Sequence, residues 1–283
     1  IIGRPHRRRD IVRSLDLVQQ GSFDSFSIDL MYGFPGQSLA DLRNDVREAA
    51  ETGAPHLSCF RLEIIPFTRL SLRCGAGLLP SLPDASEQRS MEETLVELLE
   101  KYGYRRYGVF NFAKAGHESK HNYYVFSPPQ REFFGFGNSA YSFVGNTSYC
   151  NFADIPGYLD AIDRGVRPVS HARKANTLEL MSRLFVLGLK MEGVRRAIFK
   201  DAHGIDPEVV FGREIEKLSA AGLLRLVEDR YALTDEGRYY VNNVCKEFYV
   251  LDNIGHSQHD FSFVPTIEVS DVESVRRKAA RGG

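Results

Sequence analysis

Residues 117–121, His117-Glu118-Ser119-Lys120-His121, reproduce H-E-x-x-H, the pattern in which two imidazoles one helical turn apart hold zinc and the glutamate activates water. That chemistry requires a helix. Here the motif follows Ala115-Gly116, has a strand-like aromatic run upstream, and meets Pro128-Pro129 soon after. Tyr124 and Ser127 stand where the longer zinc-protease signature needs Gly and His. A zinc hydrolase is therefore the remote alternative. Cys59, Cys74, Cys150 and Cys245 are too far apart for one loop to wrap a metal or a cluster, so each reads as reduced and structural, and no metal ligand set is expected within this chain.

Asp29 is the most informative single residue. It lies in the apolar run Ser25 to Tyr32, where a carboxylate taken out of water without partners costs on the order of several kcal/mol. Strand alternation puts Ser27, Asp29 and Met31 on one face, and Cys59, Arg61 and Glu63 on one face of the next apolar run. If those faces line a barrel, Asp29, Arg61 and Glu63 converge near the C-terminal strand ends, where barrel enzymes place their sites. A structural Asp29–Arg61 pair is the competing reading. The turn Gly33 to Gln37 precedes a helix and is expected to offer backbone donors to a negative or polar ligand edge. The glycine-rich run Gly135-Phe136-Gly137 suggests a close backbone approach.

The elements that must position these residues alternate. A helical stripe over Asp10 to Gln20 is followed by the strand Ser25 to Tyr32 and a helix capped at Ser38. A second strand runs His56 to Ile65, giving the strand-helix-strand order of a parallel unit. Leu70 to Asp84 reads as an irregular crossing, Ser86 to Lys101 as an amphipathic helix, and Tyr104 to Phe112 as an aromatic strand. From Asn176 helices dominate: Thr177 to Met191, one from Asp206 to Gly212, and another from Arg213 to Ala221. A hairpin about Glu228-Asp229 and a last helix from Thr234 to Glu247 complete a winged-helix-like pattern. The expected class is α/β, with boundaries at 1–100, a connector at 101–170, a helical domain at 171–250 and a loose tail at 251–283.

With 36 Lys and Arg against 37 Asp and Glu, no global field draws the chain to nucleic acid or an anionic membrane. The basic clusters at Arg4 to Arg9 and at Arg276, Arg277, Lys278 and Arg281 read as solvated termini. The helix around Arg213 and Lys217 also carries Glu214 and Glu216, a poor phosphate surface, so no nucleic-acid partner is expected. No apolar run approaches the roughly 20 residues that span a bilayer. Cytoplasmic residence and no stable membrane insertion are expected. The opening Ile1-Ile2-Gly3 reads like the interior of a longer chain.

Five ordered blocks carry a family resemblance: DLMYGFPGQS at 29–38, HLSCFRLEIIPFT at 56–68, NFAKAGHESKHN at 111–122, GFGNSAYSF at 135–143 and LTDEGRYYVNNVCKEF at 233–248. Together with the IGRPH block at 2–6, they make the chain similar to oxygen-independent coproporphyrinogen III oxidase-like radical S-adenosylmethionine (SAM) proteins of the HemN/HemW type. The resemblance implies the C-terminal portion of a partial (β/α)6 barrel and a helical C-terminal domain. It also implies SAM and a [4Fe-4S] cluster, an electron donor, and a tetrapyrrole substrate or heme. By motif position it implies SAM contacts at Arg4, Asp29, Glu63 and Tyr141; Gly33, Gln37, Arg61, Gly135 and Gly137, marked above by turn, strand face and glycine content, are expected as further site lining. The cluster-binding cysteine loop is missing, so the chain alone is expected not to cleave SAM. One branch of the family acts as heme chaperones without oxidase activity, and NFAKAGHESKHN is closer to that branch.

Overall fold

The computed structural model describes residues 4–250, which fall in two compact units divided between Ser119 and Lys120. The expected tail at 251–283, with its basic cluster, lies outside the described residues.

The first unit runs α1 (Arg8–Gln20), β1 (Ser27–Tyr32), α2 (Leu39–Glu51), β2 (His56–Arg61), α3 (Arg69–Gly75), α4 (Ala85–Lys101), β3 (Arg105–Arg106) and β4 (Asn111–Ala113). Its sheet has the order β1-β2-β4-β3; β1 and β2 are parallel, and β4 is antiparallel to both neighbours. A parallel pair needs a crossover, and α2 supplies it. Ser38 caps α2 by accepting from the Asp41 amide while the Asp41 carboxylate accepts from the Ser38 amide, the expected capping box. Leu42, Val46, Ala49 and Ala50 of α2, with Met91, Leu95 and Leu99 of α4, bury one face of the sheet at Leu57, Cys59 and Phe112.

Two local expectations change. The crossing after Leu70 contains α3, which starts because Thr68 caps the Ser71 amide. Tyr104 to Phe112 is two short strands rather than one. The Tyr107 and Gly108 amides turn back onto the Asn111 carbonyl, and the Arg106 guanidinium donates to the Val109 carbonyl, closing the turn.

The second unit runs α5 (Lys120–Phe126), β5 (Tyr141–Val144), β6 (Thr147–Asn151), α6 (Ile155–Asp163), β7 (Val169–Lys174), α7 (Thr177–Leu189), β8 (Val194–Arg195), α8 (Arg196–His203), α9 (Pro207–Ala220), β9 (Leu224–Val227), β10 (Arg230–Leu233), α10 (Asp235–Tyr239) and α11 (Val241–Glu247). It holds two antiparallel sheets, β5-β6-β7 and β8-β10-β9. The buried ring of Phe185 on α7 is a hub whose centre lies 4.6 Å from Phe248, 5.5 Å from Phe211, 5.9 Å from Tyr231 and 6.0 Å from Phe199. The hairpin forms as expected, with Glu228 at φ 55.

The two helices expected to meet at Gly212 are present as the two halves of α9, whose backbone leaves helical geometry one residue earlier, at Phe211 (φ −118, ψ 20), where the buried ring packs on Phe185 and Phe248. The single last helix is split at Tyr240 into α10 and α11. No helix among the described residues is long and apolar enough to cross a membrane.

Candidate functional site

In a parallel pair, directly opposed residues point to the same side of the sheet. Ser27 faces the same side as His56, Asp29 as Ser58, and Met31 as Phe60; the alternate set, Tyr32 with Arg61 and Leu30 with Cys59, is the side covered by α2 and α4. Asp29 and Arg61 therefore lie on opposite faces. The expected convergence of Asp29, Arg61 and Glu63, and with it a structural Asp29–Arg61 pair, is corrected by one residue of register. Glu63 follows the end of β2 and is exposed.

The face opposite the helices carries a polar array spread over β1, β2 and β4 and joined by Tyr107, the residue after β3. The Ser27 hydroxyl and His56 Nδ1 are 2.7 Å apart, and His56 Nε2 and the Tyr107 hydroxyl are 2.6 Å apart. The Ser119 amide donates to the same hydroxyl at 3.2 Å. One row along, Asp29 sits opposite Ser58, and Ser58 opposite Asn111, with the Ser58 hydroxyl donating to Asn111 Oδ1 at 3.4 Å. The Phe60 and Phe110 rings, 5.5 Å apart, border the array. Burial lowers the His56 pKa, and the nearby carboxylates of Asp29 and Glu118 act against that shift.

Asp29 itself is exposed and makes no hydrogen bond or ion pair among the described residues. The burial cost expected from the strand's apolar composition does not arise. A carboxylate, a hydroxyl and an amide aligned on rigid strands can bind a hydroxyl- or amine-bearing ligand. His56, Ser58, Tyr107 and Asn111 went unread in the sequence. The i, i+2 spacing of His56 and Ser58 was a signal, but register is needed to say which alternate set joins Asp29.

The turn after β1 offers less than expected. Gln37 Oε1 accepts from the Gly33 amide at 2.7 Å and from the Phe34 amide at 3.3 Å, and Gln37 Nε2 donates to Asp45. The Gly36, Gln37 and Ser38 amides are bonded to the Ser81 carbonyl, the Phe34 carbonyl and the Asp41 carboxylate. The donors of this turn are spent within the chain. Arg4 lies in the extended segment before α1, exposed and without an ion pair among the described residues.

In the second unit, the close approach predicted for the glycine-rich run is real but internal. A Cβ on Gly135 would stand 2.2 Å from the Tyr141 carbonyl oxygen. The Gly135 amide donates to the Ser142 hydroxyl, the Gly137 amide to the Tyr158 hydroxyl, and Asn151 Nδ2 to the carbonyls of Gly135 and Gly137. This pinned loop leaves Phe136 90% and Tyr141 55% exposed.

Neither metal reading gains a ligand set. Residues 117–119 precede α5, so His117 and His121 are not one turn apart on a helix, and Glu118 pairs with Arg105 at 3.2 Å. Among the described residues no group of three His, Cys, Asp or Glu could hold a metal ion. Cys59 is buried and its thiol is pushed up to about 12 by burial, and Cys245 likewise to about 11. The cysteines present do not fit a [4Fe-4S] cluster.

Comparison with known proteins agrees with these folds. Residues 176–240 match the model of the HemN C-terminal domain. The chain is 32% identical over 248 residues to the heme chaperone HemW of Bacillus subtilis, covering 87% of this chain and 65% of that protein. It is 26% identical over 253 residues to the oxygen-independent coproporphyrinogen III oxidase of Synechocystis, covering 83% and 54%. The structure of coproporphyrinogen III oxidase (HemN) from Escherichia coli, a radical SAM enzyme, superposes with a TM-score of 0.69 at 19% identity, over 87% of this chain and 59% of that one. The chain thus spans about two thirds of the length of its HemW relative and less of the two oxidases. It has the mixed α/β fold of HemN, and it is a relative of the HemW and oxygen-independent coproporphyrinogen III oxidase proteins that carries a HemN C-terminal domain.

Proposed function

We propose that this chain is the SAM-facing and tetrapyrrole-facing part of a radical SAM protein of heme metabolism, resembling coproporphyrinogen III oxidase. The observation that carries the reading is the unpartnered Asp29 carboxylate in a polar row with Ser58 and Asn111, on the sheet face opposite the helices. Asp29 and that row would bind SAM, with Arg4, Glu63 and Tyr141 as further contacts. The turn residues Gly33 and Gln37 act by shaping the end of β1, since their amides are already bonded. Arg61 lies on the helix side and is a supporting residue, as are Gly135 and Gly137.

A [4Fe-4S] cluster supplies the electron that cleaves SAM in such enzymes, and an electron donor recharges it. None of the cysteines present could hold one. The heme chaperone reading is favoured by a specific observation: relatives at 32% and 29% identity are both HemW. A cytoplasmic protein without a nucleic-acid partner fits the balanced charge and the pairing of Lys217 on α9 with Glu247 at 2.8 Å.

Two measurements separate the readings. Calorimetric titration of the full-length protein with SAM should show Asp29→Ala weakening binding by about tenfold or more, as loss of a charge-assisted hydrogen bond implies. Unchanged affinity removes Asp29 from the site. Heme titration followed in the Soret band, set against decarboxylation of coproporphyrinogen III, divides chaperone from oxidase: product without a heme-dependent shift ends the chaperone reading.

A further inference from the structure

Arg183 lies on α7 with its guanidinium carbon 4.1 Å from the centre of the Phe143 ring. Its Nε and Nη2 are buried and have no hydrogen-bond partner, and the group makes no ion pair among the described residues. Burial alone lowers its pKa, with no carboxylate opposing. Other cations of the second unit are differently placed: Arg173 pairs with Glu179, Arg196 with Glu208, Lys200 with Asp206, Lys217 with Glu247 and Arg230 with Glu192. Taking part of a guanidinium out of water without a counter-charge is unfavourable, and stacking on an aromatic face offsets it only in part. The imbalance marks a place where an anion would stabilise the folded chain.

The surroundings favour a carboxylate on a planar ligand. A guanidinium presents parallel N–H donors that match both oxygens of a carboxylate. Tyr141 is two residues from Phe143 on β5, so its side chain leaves the same face of the sheet about 7 Å along the strand. It is 55% exposed, so an open aromatic ring stands one strand repeat from the ring that carries Arg183. Across the sheet the same row continues through Cys150 to the exposed His171.

We infer that Arg183 binds a carboxylate of the tetrapyrrole, one of its propionate side chains, with the macrocycle against the exposed aromatic surface at Tyr141. The inference rests on the proposed function and adds a residue that neither the sequence reading nor the family motifs single out. It also puts the anionic end of the ligand one strand repeat from a position proposed to meet SAM.

The test uses the full chain titrated with heme and with heme dimethyl ester, which keeps the ring and removes both carboxylate charges. Wild type should bind the free acid more tightly than the ester. Arg183→Gln should weaken the free acid about tenfold or more and leave the ester unchanged, and Arg183→Lys should fall between. Equal binding of acid and ester by wild type, or an Arg183→Gln protein that binds the acid like wild type, overturns the carboxylate site while the tetrapyrrole reading stands. Failure of wild type to bind either ligand overturns the carboxylate site and the chaperone reading together, and leaves the oxidase reading to the decarboxylation assay. Should Arg183→Gln not fold by circular dichroism, the acid-against-ester comparison on wild type and Arg183→Lys still decides.

Discussion

The two units solve burial differently. In the second, Phe185, Phe199, Phe211, Tyr231 and Phe248 close on one another so completely that the helices become supports for a ring cluster. In the first, α2 and α4 cover one side of a sheet and the other side keeps Ser27, Asp29, His56, Ser58 and Asn111. Side chains satisfy one another in the ring cluster, whereas a charge is left over at Asp29 on the first sheet and at Arg183 over Phe143 in the second unit.

That contrast can be broken most severely at Phe185. Phe185→Ala should cost about 3–5 kcal/mol in denaturant unfolding of the second unit, because the emptied centre cannot refill. Gly237→Ala tests the same unit through the backbone: its Cβ would stand 1.9 Å from the Leu223 carbonyl oxygen, so a loss of about 2 kcal/mol or more in the same transition is expected. In the first unit, Arg106→Met removes a half-buried ion pair to Glu92 (3.1 Å) and the cap on Val109, and should cost about 1–3 kcal/mol.

A smaller effect follows from the histidines. His56 and His203 are both held below their usual pKa by burial. The unfolded chain therefore takes up protons first, and stability fully present above about pH 6.5 declines as pH falls toward the lowered folded values. A pH series of urea midpoints should show this acid-side slope reduced in His56→Gln and in His203→Gln. The smallest stability change belongs to Asp29→Ala, within about 0.5 kcal/mol, since the exposed carboxylate has no partner to lose. A large loss of stability there would erase the distinction between the two units.

Much of this arrangement is readable along the chain. The Ser38 capping box, the parallel strand-helix-strand unit and the hairpin at Glu228-Asp229 depend on neighbours within a few residues, and each forms as read. The β5-β6-β7 sheet was harder to see, because its strands are short and its loop is pinned by Asn151 from the neighbouring strand. The break read at Gly212 falls at the neighbouring Phe211, because packing of that ring against Phe185 and Phe248 sets where the backbone leaves helical geometry.

The chain's residues alone determined the class of fold, the starts of α1, β1, α2, β2, α4, α7 and the hairpin strands to within about two residues, and the ordered motifs that tie it to the HemW and coproporphyrinogen oxidase proteins, because those follow from local hydrogen bonding and side-chain period. Tertiary structure decided which residues meet. Strand register sent Arg61 to the helix side and brought His56, Ser58 and Asn111 to Asp29. A side-chain contact between α7 and β5 leaves Arg183 on the Phe143 ring without a counter-charge. Shifting a strand by one residue barely alters a hydrophobic pattern, yet it turns every side chain to the opposite face.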